Sequence, residues 1–149
     1  MNQRNDNGNN KDSIQIQFYD GNGNVRKDLY DTEAERIANE IAQDMIRKGK
    51  KEEQIRNAQI RRFFNEVKLY ERLLKVEPEK RPVVFAAKLP EIKMLKAKSA
   101  YALSRETINH RFANFISKGV DQVKTVDDFF VFAKLFEAVV GFVNGRVKK

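Results

Sequence analysis

From residue 31 to the C-terminus, large apolar side chains recur three and four positions apart with few interruptions. Ile37, Ile41 and Met45 repeat at i, i+4 and i+8, and Ile60, Phe63, Phe64, Val67, Tyr70 and Leu74 form a longer stripe of the same spacing. A helix gathers such residues on one face, whereas a strand gathers i and i+2. Three prolines and seven glycines in 149 residues are few for a chain of many strands and turns. The spacing predicts an all-α fold, a compact bundle of about five helices.

Thr32 and Glu35 make a capping box that opens the first helix, and Gly49 is its stop. A second helix runs from about Lys51 to Lys75. Pro78 and Pro82 end that pattern, so residues 77–90 read as a loop with an apolar patch, Val83–Ala87. Pro90 at a first helical position opens a third helix through about Ser104. A fourth covers roughly 107–117 and stops at Gly119. A fifth starts at Thr125, boxed with Asp128, and runs to Gly145. Ahead of this helical domain, 31–147, residues 1–30 read as a disordered or extended leader. Residues 1–12 are rich in Asn, Asp and Gly, which predicts disorder. Ile14, Ile16 and Phe18 alternate before Asp-Gly-Asn-Gly, a hairpin signal.

Much chemistry is excluded by composition. With no cysteine there is no disulfide, thiolate zinc site or cysteine nucleophile, and His110 is the only histidine. Asp127 and Asp128 sit where carboxylates favour a helix N-terminus, and no third carboxylate at a suggestive spacing makes them a metal site. The expectation is a protein that is not an enzyme, with no cofactor and no metal. The polar start gives no secretory signal. The longest apolar run, Phe129–Val143, contains Lys134 and Glu137 and falls short of the roughly 20 residues that span a bilayer. A soluble, cytoplasmic protein without membrane contact is expected.

Charge points to a partner. The chain has 29 Lys+Arg against 21 Asp+Glu, and 21 of those cations with only 12 of the anions fall after residue 50. A basic domain behind a near-neutral leader suggests a polyanion, nucleic acid first. On the second helix, Arg61, Lys68, Arg72 and Lys75 form one basic strip beside the apolar stripe. On the third, Met94, Lys98, Tyr101 and Arg105 share a face flanked by Lys93 and Lys96, away from the Ile92, Leu95, Ser99, Leu103 line expected to face the core. Cations meet phosphates, and a ring between them can stack on a base. Such contacts carry no sequence information. The fifth helix is apolar around well over half its circumference, which leaves two readings: a central core helix, or a helix with one side turned to another subunit.

Three segments, AQIRRFFNEVK at 58–68, EIKMLKAKSAYALSR at 91–105 and FFVFAKLFEAVVGF at 129–142, resemble the small helical subunit of type III-A CRISPR–Cas effector (Csm) complexes. The shared pattern is Gln59-Ile60-Arg61 before an aromatic-rich helix, then Lys96-x-Lys98-x-x-Tyr101 closed by Arg105, then a Phe-rich last helix. The chain departs from it at Asn57-Ala58, where Thr or Ser is expected, and at Ser104, where Gly is common. The resemblance implies a non-catalytic subunit lining the groove for guide RNA and single-stranded target RNA, in contact with the other effector subunits. Independently of the resemblance, the basic faces give Arg61, Lys68, Arg72, Lys96, Lys98, Tyr101 and Arg105 as the expected RNA-binding residues, and the apolar excess of the last helix points to self-association through the Phe-rich C-terminal helix. The other class of reading is a helical protein–protein adaptor or homodimer whose positive charge is incidental.

Overall fold

The computed structural model describes residues 15–47 and 49–147, and the disorder expected of residues 1–12 lies outside them. Five α-helices follow one another: α1 Ala34–Arg47, α2 Lys50–Leu74, α3 Arg81–Ser104, α4 His110–Asp121 and α5 Val126–Val147. Among the described residues there is no strand. The all-α expectation holds.

The described part of the leader, residues 15–28, is extended and packed on the bundle. Tyr19 and Val25 make one antiparallel bridge around the Asp20–Asn24 turn, where Gly23 takes a positive φ of 81°. Phe18 and Leu29 are buried in the common core. The Tyr19 hydroxyl donates to Asp128 at the start of α5, and the Gln122 amide donates to the Ile16 carbonyl.

Several helix boundaries differ from the sequence reading. A π-helical turn, Leu29–Glu33, leads directly into α1, so Thr32 lies inside a helix and caps nothing. Glu33 instead pairs with Arg36 at 2.9 Å, which holds its carboxyl below the usual range. Gly49, at φ 101°, does separate α1 from α2. The loop expected at 77–90 is a short 3₁₀ turn, Pro78–Lys80, followed by the first three turns of α3. Pro82 sits in the first turn of α3, where its missing N–H costs nothing. Pro90 is inside α3. Its lost hydrogen bond would go to Ala86, and both residues face solvent, so that carbonyl is not left in an apolar interior. Meanwhile Phe85 is buried and Val84 and Leu89 pack on the core, holding the helix together across the proline.

α3 ends in a Schellman motif, with Glu106 N–H bonded to Leu103 C=O and Thr107 N–H to Ala102 C=O. The left-handed position is held by Glu106 at φ 60° instead of a glycine. α4 starts at His110 under an Asn109 cap that accepts from Phe112 N–H at 2.9 Å, and it continues through Gly119. Gly119 is not a stop but a contact. A Cβ there would lie 2.3 Å from the Phe132 ring.

The Thr125–Asp128 box forms in both directions, 3.0 Å and 3.1 Å. It starts the central helix of the bundle. On α5, Phe129, Phe132, Phe136, Leu135 and Val139 are fully enclosed, with Phe115 and Phe136 rings edge-on at 5.2 Å and Phe112 and Phe136 at 5.8 Å. The exposed positions of α5 are Asp127, Lys134, Glu137, Gly141, Gly145 and Arg146. Most of the Phe-rich helix is thus core, while Phe130 and Phe142 are only partly buried and pack at the edge of that core.

Candidate nucleic-acid interface

α2 and α3 are consecutive and antiparallel, with Lys98 Nζ on α3 reaching Glu66 Oε2 on α2 at 2.7 Å. Between them runs an open groove lined by Arg62 and Glu66 from one side and Met94, Lys98, Tyr101 and Arg105 from the other. The expected core line of α3 is inward: Ile92, Leu95 and Ser99 are buried and Leu103 is packed on the core. The residues between them therefore face out, and Tyr101 is 63% exposed, unusually open for an aromatic.

Tyr101 is held by Arg105. The Arg105 Nη1 donates to the Tyr101 hydroxyl at 2.9 Å, and its guanidinium lies 5.6 Å from the ring centroid. That hydrogen bond pushes the Arg105 pKa further upward, so the guanidinium stays charged. The pair is a flat ring with a fixed cation beside it, one turn apart on a single helix.

The other expected residues are elsewhere. Lys68 sits on the α5 flank of α2, 2.6 Å from Glu71 and 3.1 Å from Glu137, and these bonds, Glu71 first, raise its pKa. Its charge is already answered by two carboxylates. Lys96 turns towards α4 and pairs with Asp121. Arg61 and Arg72 are exposed, with no ion pair among the described residues. The structure brings together Lys98, Tyr101 and Arg105, and separates them from Arg61, Lys68, Arg72 and Lys96.

Arg62 is the groove cation missed in the sequence. Its neighbour Arg61 aligns with the basic strip, whereas Arg62 lies about 100° around the helix. Only knowing on which side α3 packs makes Arg62 the relevant one. Near the turn between α2 and α3, Leu69, Leu73 and Val83 are also exposed, the last 74%. Among the described residues, no group of His, Asp and Glu could hold a metal ion, and no helix is long and apolar enough to cross a membrane.

The family described as Csm2 Type III-A matches the chain over residues 28–144. The chain belongs to the Csm2 family. The match begins at the turn that leads into α1 and runs through nearly all of α5, so it takes in all five helices and leaves out the Tyr19–Val25 hairpin. It extends the resemblance seen in the segments between residues 58 and 142 to the first helix. No curated protein and no solved structure matches the chain. A Csm2 protein is a structural subunit of the type III-A CRISPR effector complex and works in association with other Csm subunits.

Proposed function

We propose that this Csm2-family chain is a non-catalytic RNA-binding subunit that lines the groove for guide RNA and target RNA and contacts phosphates without sequence preference. The observation that carries the reading is the Tyr101–Arg105 pair, open to solvent in a chain whose residues after 50 carry 21 cations to 12 anions, beside Lys98 and Arg62 in one groove. Arg61 and Arg72, exposed and without ion pairs among the described residues, are a second set of phosphate contacts on α2. Lys68, Lys96 and Lys98 contribute less, because each must release a carboxylate before it meets a phosphate.

Contacts to the neighbouring subunits use the exposed apolar residues Leu69, Leu73 and Val83 in preference to the Phe-rich helix, most of whose large side chains are enclosed. The same residues are what favour the adaptor reading, and the two readings part on RNA. The test is fluorescence anisotropy of the purified protein with single-stranded RNA at several salt concentrations. Weak binding to single strands of any sequence, carried by phosphate contacts and without cleavage, is expected, weakened by Arg62→Ala and Arg105→Ala. RNA cleavage that survives rigorous purification defeats the non-catalytic reading. Absence of any RNA binding favours the adaptor.

A further inference from the structure

Phosphates and bases ask for different surroundings, and the α2–α3 groove changes character with depth. Its exposed rim carries Arg62 and Arg105. Its floor is formed by the buried Phe63 and Ala102, and Glu66 lines it between floor and rim, with 23% of its side chain exposed. A carboxylate inside a cationic groove repels a phosphate. It suits the amino edge of a base instead, because it can only accept hydrogen bonds. The Glu66 bonds leave room for this: Lys98 Nζ and the Tyr70 hydroxyl both donate to Oε2, at 2.7 Å and 3.0 Å, and Oε1 takes neither.

The spacing on α3 fits a flat ring. Met94 and Tyr101 are two turns apart, about 10 Å along the axis. Between them the groove is lined by Ala97, whose single methyl leaves a notch beside the Tyr101 ring. Bases stack on such rings regardless of identity, while their edges differ: adenine, cytosine and guanine offer an exocyclic amino group, and uracil does not. We infer that this groove holds one unpaired nucleobase, stacked on Tyr101 with its amino edge against Glu66, while Arg62 and Arg105 take the flanking phosphates. The inference rests on the RNA-binding reading above. A base held in a duplex has its Watson–Crick edge occupied and cannot enter.

The experiment is fluorescence anisotropy at one fixed salt concentration, using the full chain with labelled oligo(A), oligo(U) and a blunt RNA duplex of equal length. Four proteins are compared: the native chain, Tyr101→Ala, Tyr101→Phe and Glu66→Gln. Oligo(A) should bind more tightly than the duplex. Tyr101→Ala should weaken oligo(A) binding about 5- to 150-fold and leave duplex binding unchanged, while Tyr101→Phe, which keeps the ring and loses only the hydroxyl bond to Arg105, should weaken it much less. Glu66→Gln should reduce the preference for oligo(A) over oligo(U), since an amide can meet either edge. Equal weakening of single strand and duplex by Tyr101→Ala, or no weakening, overturns the base pocket and leaves the RNA-binding reading standing. An unchanged oligo(A) to oligo(U) ratio in Glu66→Gln overturns the role of Glu66. If the native chain binds none of the three RNAs, both readings fall.

Discussion

Gly119 on α4 lies against the ring of Phe132 on α5 so closely that an added Cβ would stand 2.3 Å from it. Phe132 is wholly enclosed and has nowhere to move. Gly119→Ala should therefore destabilise the protein by about 1–3 kcal/mol through overpacking, despite alanine's better helix propensity. Gly141, exposed in the interior of α5 with nothing within 4 Å of its missing Cβ, is the control. Gly141→Ala should stabilise by about 0.5–1 kcal/mol. Chemical denaturation of the two variants side by side tests whether α4 closes on α5 at this point.

Glu106 holds the left-handed position of the α3 Schellman motif at φ 60°, where glycine is at ease and other residues are strained. Its side chain is exposed. Glu106→Gly should raise stability by about 1 kcal/mol, seen as a higher denaturation midpoint at unchanged slope. A lower midpoint would mean that the carboxylate contributes more than the backbone strain costs.

Burial, and next its hydrogen bond to Glu66, push the Tyr70 phenol up to about 12 from the ordinary 10.0. A raised folded pKa means the contribution is complete below pH 10 and is lost as pH climbs towards 12, because the unfolded chain ionises first. Tyr19, raised for the same reason and by Asp128, adds to the same loss. Stability measured at pH 9 and pH 11 should fall by about 1–2 kcal/mol more in the native chain than in Tyr70→Phe. Equal falls would show that the phenol ionises freely in the folded protein.

Tyr101, Arg61 and Arg72 are exposed, so alanine at each should change stability by no more than about 0.5 kcal/mol. Lys68→Ala should cost slightly more, up to about 1 kcal/mol, since it leaves Glu71 and Glu137 without their shared cation. If Arg61 and Arg72 meet phosphates, each loss should flatten the log–log dependence of RNA affinity on salt by about 0.7, and Lys68→Ala should flatten it less. Melting temperature and salt-dependent affinity measured on the same variants separate the two effects. A sharp drop in melting temperature for Tyr101→Ala would make that ring part of the core.

The helical period, the enclosed faces of α1, α2 and α3 and the Thr125–Asp128 box were legible in the residues themselves, because each depends on neighbours three or four positions away. So was the Lys98–Tyr101–Arg105 face, which lies on one helix opposite Ile92, Leu95 and Ser99. What depends on a partner distant in sequence was not. Pro90 looked like a helix start, and only the packing of Phe85, Val84 and Leu89 carries α3 through it. Gly119 looked like a stop until Phe132 was set against it. The clearest case is the near repeat Gln54-Ile55-Arg56 and Gln59-Ile60-Arg61. In the first copy the isoleucine is exposed and the arginine is buried and bonded to Glu52; in the second the isoleucine is buried and the arginine exposed. Five residues turn a helix by about 140°, so identical triplets meet opposite surroundings. The sequence alone determined that α2 is a helix with cations on several sides. Which of those cations could face a ligand was decided by where α3 and α5 lie against it, since burial is a property of the whole packing and not of any local run of residues.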